Sequence, residues 1–298
     1  MEQVGELKTL TWTLESDGVC IVRLNRPEQR NAFTLLMSVE FQQLFGALDR
    51  DNNVKAVILG ANRRSSMFCA GADLNAANDV TLSEAEQKRD AGGRCSLAIW
   101  RCRKPVIMAM HGNAIGIGIT MALPADIRIV NKDAKIGFVF ARRGLVAEAA
   151  STYFLPRLVG MSRALEWTLT GRIFRAGDQD SRESGLFNHV VETPDDVMPK
   201  ALSIAREIVS KNSLVATSVC KSLYWRGQAI PTPYEAHAEE SRALRFLMNS
   251  PEVQEGFMSF LEKRQPDFPG SPGNKEDVPP GFHDFPYPNN FPSIAARL

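Results

Sequence analysis

Phe68-Cys69-Ala70-Gly71-Ala72-Asp73-Leu74 and, further on, Pro105-Val106-Ile107-Met108-Ala109-Met110-His111-Gly112-Asn113-Ala114-Ile115-Gly116-Ile117-Gly118-Ile119 decide how this chain is read. The second stretch opens with an uncharged apolar run, which predicts a fully buried strand. Both stretches then pass into turns built from small residues. Such residues let a backbone approach a ligand closely and leave its N–H groups exposed. Two turns of this kind, each following a strand, can aim two amides at one oxygen, which is the arrangement of an oxyanion hole. Taken singly, each is also an ordinary tight strand-to-helix connection. Gly116 and Gly118 begin a dinucleotide fingerprint, but Met121 stands where its third glycine belongs, so that reading fails on spacing. There is no Gly-x-Ser-x-Gly elbow, which argues against a serine hydrolase.

Outward from these turns, Val19–Leu24 (VCIVRL), Val54–Gly60, Pro105–Met110 and Ile127–Val130 read as strands. Thr34 is placed to cap a helix whose apolar residues, Leu35, Leu36, Val39, Leu44, Phe45 and Leu48, recur at helical spacing. Ser83-Glu84-Ala85-Glu86 has the form of a capping box opening a helix toward Arg103. The second half predicts helices over Ser151–Val159, Val197–Lys211, Leu214–Arg226, Tyr234–Met248 and Pro251–Lys263. Strand-rich first and helix-rich later is the pattern of an α/β chain with a helical appendix. From Phe268 onward, prolines and glycines are too dense for a helix or a central strand. An extended or disordered tail is expected there.

The 298 residues balance 35 Lys and Arg against 34 Asp and Glu. That balance supports neither nucleic-acid nor membrane-surface binding. The five cysteines are an odd number with no CxxC pair, so neither a disulfide framework nor a metal site is expected. The acidic N-terminal stretch MEQVGELKTL lacks an apolar core and does not read as a secretory signal. Pro105–Ala125 carries no formal charge, yet His111, Asn113, Pro124 and its glycines fit a buried strand and turn better than a membrane span. The chain ends Ala296-Arg297-Leu298, similar to a peroxisomal address. Peroxisomal location is the expectation, with the cytoplasm as the alternative.

FCAGADL followed by KPVIMAMHGNAIGIGITMALPADIRIV resembles the signature of the crotonase (enoyl-CoA hydratase/isomerase) superfamily. LNRPEQRNAF, LTGRIFRAGDQDSRESGLFNHVV and FLEKRQPDF extend the likeness over most of the chain. The resemblance implies an α/β crotonase (ClpP-like) ββα spiral, with a C-terminal helical region used for trimerisation. That divides the chain into a core with the acyl-CoA site over 1–200, helices over 201–268 and a Pro-rich tail over 269–298. It implies an acyl-CoA substrate, no tightly bound cofactor and a homotrimer or homohexamer. It also places the oxyanion donors at the amides of Ala72 and Ile117. Ala70, Asp73 and Leu74 match positions along the coenzyme A path, and Lys263 matches one that meets the coenzyme A phosphates. A solvated helix face is the plain alternative for Lys263.

The family's hydratases use two glutamates. The matching positions here are Thr120 and Phe140, neither of which transfers a proton at neutral pH. Glu148, in RRGLVAEAAS, resembles the single base of Δ3,Δ2-enoyl-CoA isomerases. The resemblance thus implies an isomerase that moves a 3-enoyl double bond to the 2-position. A hydratase or dehydratase of an unusual acyl-CoA in secondary metabolism and a non-catalytic acyl-CoA-binding subunit are the rivals. An apolar pocket from Phe138, Phe140, Leu145 and Val146 is expected to raise the pKa of Glu148. Its plain alternative is a carboxylate favouring a helix start. Asp126 is expected to be structural, and His111 to be packed rather than catalytic. Arg142 and Arg143 fit either the coenzyme A phosphates or the surface.

Overall fold

Three ββα units follow one another in the chain, and their first and second strands go to different sheets. The computed structural model describes residues 4–76, 80 and 88–283. β1 (Leu10–Leu14) and β2 (Val19–Leu24) form an antiparallel pair, followed by α1 (Leu35–Arg50). The units are then β3 (Ala56–Ala61), β4 (Met67–Cys69) and α2 (Ala91–Arg101); β5 (Val106–Met110), β6 (Asn113–Ile115) and α3 (Ile117–Thr120); and β7 (Ile127–Asn131), β8 (Lys135–Gly137) and α4 (Ser151–Thr170). β9 (Ile173–Arg175), α5 (Gln179–Glu183), β10 (His189–Val191), α6 (Pro194–Lys211), α7 (Leu214–Gly227), α8 (Pro233–Met248) and α9 (Pro251–Glu262) complete the order.

The large sheet runs β1-β2-β3-β5-β7-β10 and the small one β4-β6-β8-β9. The central strands β3 (AVILGA) and β5 (VIMAM) are buried along their whole length, as parallel strands covered on both faces must be. Alternation sorts β2: Cys20, Val22 and Leu24 join the main core with α1, whereas Val19 and Ile21 face α6. Val197, Ala201 and Ala205 of α6 pack there against Ile58, Ile107 and Ile129.

The expected strands and most expected helices form within a few residues of their anticipated limits, whereas the helix expected from Ser83 toward Arg103 runs over Ala91–Arg101 among the described residues. Thr34 caps α1 by accepting from the Met37 amide at 3.1 Å. The helix from Ser151 continues past Val159 to Thr170, with a break at Gly160 (φ 79°). The boundary drawn at residue 200 falls inside α6, which packs on the sheet, so the core continues through that helix. The described part of the tail, 269–283, forms no helix or strand, as expected, and it packs on the core through side chains. Val278 and Phe282 are buried, Arg103 donates to the Pro272 carbonyl at 2.7 Å, and the Arg226 guanidinium lies 4.3 Å from the Phe282 ring centroid. Proline density excludes regular structure there but not docking through side chains. Ser83–Glu86 and Ala296–Leu298 lie outside the described residues. Among the described residues no helix is long and apolar enough to cross a membrane.

Candidate active site

β4 and β6 are neighbours in the small sheet and run parallel, Met67 opposite Asn113 and Cys69 opposite Ala114. Their C-terminal ends therefore emerge side by side, and the two small-residue turns meet. A Cβ on Gly118 would lie 2.5 Å from the Cys69 carbonyl oxygen, and one on Gly71, at φ 105°, 3.2 Å from the Ile115 carbonyl oxygen. Only glycine permits both approaches.

Each turn leaves one amide over. The Phe33 N–H donates to the Gly71 carbonyl at 2.9 Å, and the Asp73 N–H to the Phe33 carbonyl at 2.8 Å. This parallel bridge spends the groups on either side of Ala72 and turns its N–H the other way. In the second turn the Gly116 N–H donates to the Gly137 carbonyl at 2.9 Å, while its carbonyl accepts from Ile119 and Thr120. Ile117 is the first residue of α3, where an N–H has no partner inside the helix. Among the described residues, neither the Ala72 nor the Ile117 amide reaches a protein acceptor.

Glu148 belongs to the same place. Its Oε1 accepts from the Thr120 hydroxyl at 2.8 Å, one helical turn along from Ile117. A Cβ on Gly92 would lie 2.0 Å from its Oε2 and 2.6 Å from Cδ1 of Ile117. The backbone after it is strained: Ala149 and Ala150 both adopt left-handed conformations (φ 58° and 55°). Burial pushes the Glu148 carboxyl up to about 7, and the neighbouring Asp90 carboxylate adds to the shift, while the Thr120 hydrogen bond opposes it. A carboxyl group of that pKa can both take and give a proton near neutrality. Two unspent amides beside it can hold the oxygen of a thioester whose neighbouring carbon loses a proton.

An enoyl-CoA hydratase/isomerase family model matches residues 15–271. The chain belongs to that family. Among curated relatives, it is 41% identical to an enoyl-CoA hydratase, AFT3-1, of Alternaria alternata, over 85% of this chain and 84% of that one. It is 32% identical to the mevalonyl-coenzyme A hydratase sidH of Aspergillus fumigatus, over 84% and 91%. A probable enoyl-CoA hydratase/isomerase of Mycobacterium abscessus superposes with a TM-score of 0.79 at 31% identity, covering 88% of this chain and 99% of its own. The fold is the crotonase fold, and the chain is an enzyme of the enoyl-CoA hydratase/isomerase family.

Within this family member, the sequence-derived site residues divide into two groups. Ile117, Thr120 and Glu148 are brought together, and Ala72 lies on the turn that packs against the one carrying Ile117. Phe140 is buried, and its ring lies 4.0 Å from the Cβ position of Gly116. Ala70 and Asp73 flank the first turn. The Ala70 amide donates to the Arg30 carbonyl at 3.2 Å, and Asp73 pairs with Arg26 at 2.8 Å on the wall of an open cleft of about 450 Å³. Leu74 is 90% exposed. Lys263 follows α9 in a left-handed conformation and is exposed.

The expected apolar pocket over Glu148 is corrected in its composition. Leu145 and Val146 are 63% and 84% exposed, and Phe138 stacks instead on Trp167 at 6.0 Å. The three-residue helical turn Ala141–Arg143 that follows Phe140 carries Leu145 and Val146 outward. Gly92 lies against the carboxyl group instead, with Ile117 and Ala149 at the same point, and the charge of Glu148 acts on the Cys69 and Cys95 thiols. Both thiols are buried and held above their ordinary range, so they stay neutral. Asp126 accepts from the Val106 amide at 2.7 Å and from Lys221 at 2.8 Å, and His111 hydrogen-bonds the Ser65 carbonyl at 3.0 Å. Both fill structural roles. Arg142 donates to the Thr170 carbonyl at 3.0 Å.

Asp90 and Gly92 were not anticipated. Asp90 is 59 residues from Ala149, whose amide it accepts at 3.1 Å. The available signal was Asp90-Ala91-Gly92-Gly93, an N-cap residue followed by two glycines in a first helical turn, where each glycine costs about 1 kcal/mol against alanine.

Proposed function

We propose that this enzyme isomerises a 3-enoyl-CoA to its 2-enoyl isomer. The supporting observation is Glu148, a carboxyl group with a pKa near neutrality held by Thr120 close to the two small-residue turns, with Thr120 and Phe140 at the positions that the resemblance matches to the two glutamates of the hydratases. Ionised Glu148 removes a proton from C2 of the thioester. The Ala72 and Ile117 amides stabilise the dienolate oxygen. Glu148, now a carboxylic acid, returns the same proton to C4, and the double bond comes to rest between C2 and C3. No other reactant is consumed.

A second reading is hydration or dehydration of an acyl-CoA by the same carboxyl group and a water molecule. It is favoured by the Alternaria alternata relatives, which are named enoyl-CoA hydratases at 40–41% identity. Offering the protein a 3-enoyl-CoA and a 2-enoyl-CoA separately, while following the conjugated thioester absorbance, decides between them. A gain with the first substrate and none of the hydroxy product supports isomerisation. A loss with the second supports hydration. Neither change, with thermal stabilisation by coenzyme A alone, leaves a binding subunit.

The coenzyme A moiety enters as part of the substrate. Arg26, Arg30 and Asp73 offer polar groups along the open cleft beside the first turn, and Lys263 is assigned to the coenzyme A phosphates. The exposed apolar side chains of α8 and α9, among them Leu244, Phe257, Phe260 and Leu261, support self-association. A homotrimer or homohexamer is read by sedimentation. Peroxisomal delivery through Ala296-Arg297-Leu298 is read by locating a fluorescent fusion with and without those residues.

A further inference from the structure

Asp90 joins three parts of the fold. As N-cap of α2, its Oδ1 accepts from the Gly93 amide at 2.5 Å. The same oxygen accepts from the Ala149 amide at 3.1 Å, which ties α2 to the strained turn after Glu148. Its charge adds to the upward shift of the Glu148 carboxyl group, which burial dominates. Directly after Asp90 comes Gly92, whose missing side chain leaves the space that Glu148 Oε2 fills.

We infer that Asp90 is a positioning residue for Glu148: held by two backbone amides, its carboxylate orients the Glu148 side chain and sets the charge that the Glu148 carboxyl group faces. Two backbone N–H groups hold the Asp90 side chain in place, whereas Glu148 receives the Thr120 hydroxyl. The titratable groups acting on Glu148 are Asp90 from the start of α2, Cys95 within α2 and Cys69 from β4, and both thiols are neutral. Asp90 is thus its one charged neighbour among them. The inference rests on the reading of Glu148 as the acid–base group.

The test is Asp90→Asn, which keeps an oxygen for the Gly93 and Ala149 amides and removes the charge. The full chain is labelled with carboxyl-¹³C glutamate. The Glu148 signal is assigned by its loss in Glu148→Gln and titrated, alongside the pH profile of kcat/KM on a 3-enoyl-CoA and a 2-enoyl-CoA. The expected result is a Glu148 midpoint lowered by about one unit or more, an equal shift in the profile, and unchanged acyl-CoA affinity. An unmoved midpoint in folded Asp90→Asn overturns the inference. Should that variant fail to fold, Asp90→Ser keeps a capping oxygen for Gly93 and is read in the same way. If the midpoint moves while Glu148→Gln retains full turnover on both substrates, the coupling of the two carboxyl groups stands and the catalytic reading of Glu148 falls.

Discussion

The Thr120 hydroxyl donates to Oε1 of Glu148 across 2.8 Å, from the position that the resemblance matches to the first glutamate of the family's hydratases. The position that would supply one acid therefore orients the other. A hydroxyl this close steadies the ionised form, against a burial that favours the neutral one. The result is a carboxyl group balanced near neutrality.

Glu148→Gln removes the proton carrier and little volume. Turnover falls by about 10³-fold, while acyl-CoA affinity measured by calorimetry stays within a few-fold. Wild-type turnover by the variant would dismiss Glu148 as the acid–base group.

The same variant reports through stability. The folded pKa of Glu148, about 7, lies above its ordinary value of 4.5. Between those values the folded protein binds more protons than the unfolded chain, so this group makes stability fall as pH rises from 4.5 to 7. The penalty is complete above pH 7 and amounts to about 3 kcal/mol. Glu148→Gln should therefore match wild type in urea denaturation near pH 4.5 and exceed it at pH 8. Equal stability at both pH values would show that Glu148 titrates as an ordinary surface carboxylate.

Gly92→Ala places a methyl group where Glu148 Oε2 now lies. The side chain must turn away, and a displacement of about 1 Å costs on the order of 10²-fold in rate. Circular dichroism should show an intact fold, because alanine favours the helix. The loss should appear in kcat rather than KM, and steady-state kinetics checks this.

Gly118→Ala acts on the other side of the site. Its Cβ would press on the Cys69 carbonyl oxygen at 2.5 Å, a backbone atom that cannot swing aside. α3 must back away from β4, separating the Ala72 and Ile117 amides. Destabilisation of about 1–3 kcal/mol, measured by denaturation, should accompany loss of turnover on every thioester offered.

Lys221→Met tests the seam between α7 and the core. Lys221 reaches Asp126 and the carbonyls of Cys102 and Lys104 at 2.8–3.2 Å, with its side chain only 7% exposed. Removing it strands a partly buried carboxylate, at a cost of about 3 kcal/mol. Adding Asp126→Asn should recover part of that loss, since the Val106 amide keeps its acceptor. Thermal melting of the single and double variants measures both.

The strands, the Thr34 cap, the two turns and the apolar helices were legible because each depends on neighbours within a few residues. Period-two and period-3.6 burial, a hydroxyl three residues before an orphan amide, and glycine at a close approach all leave local marks. The special standing of Ala72, Ile117 and Glu148 came from motif resemblance, and their meeting follows from β4 lying beside β6. What covers Glu148 was misread. Phe138, Leu145 and Val146 are near it in sequence, but the turn after Phe140 carries the last two into solvent.

Local sequence determined which segments become strands and helices and where the two small-residue turns fall. Tertiary structure alone decided which groups share one small volume. Asp90, Thr120 and Glu148 lie on different units of the spiral, and their carboxyl and hydroxyl groups meet only when parallel strands bring α2, α3 and the turn before α4 together. A pKa depends on charge and solvent within a few ångströms, not on position in the chain. The chemistry of Glu148 is therefore a property of the packed protein.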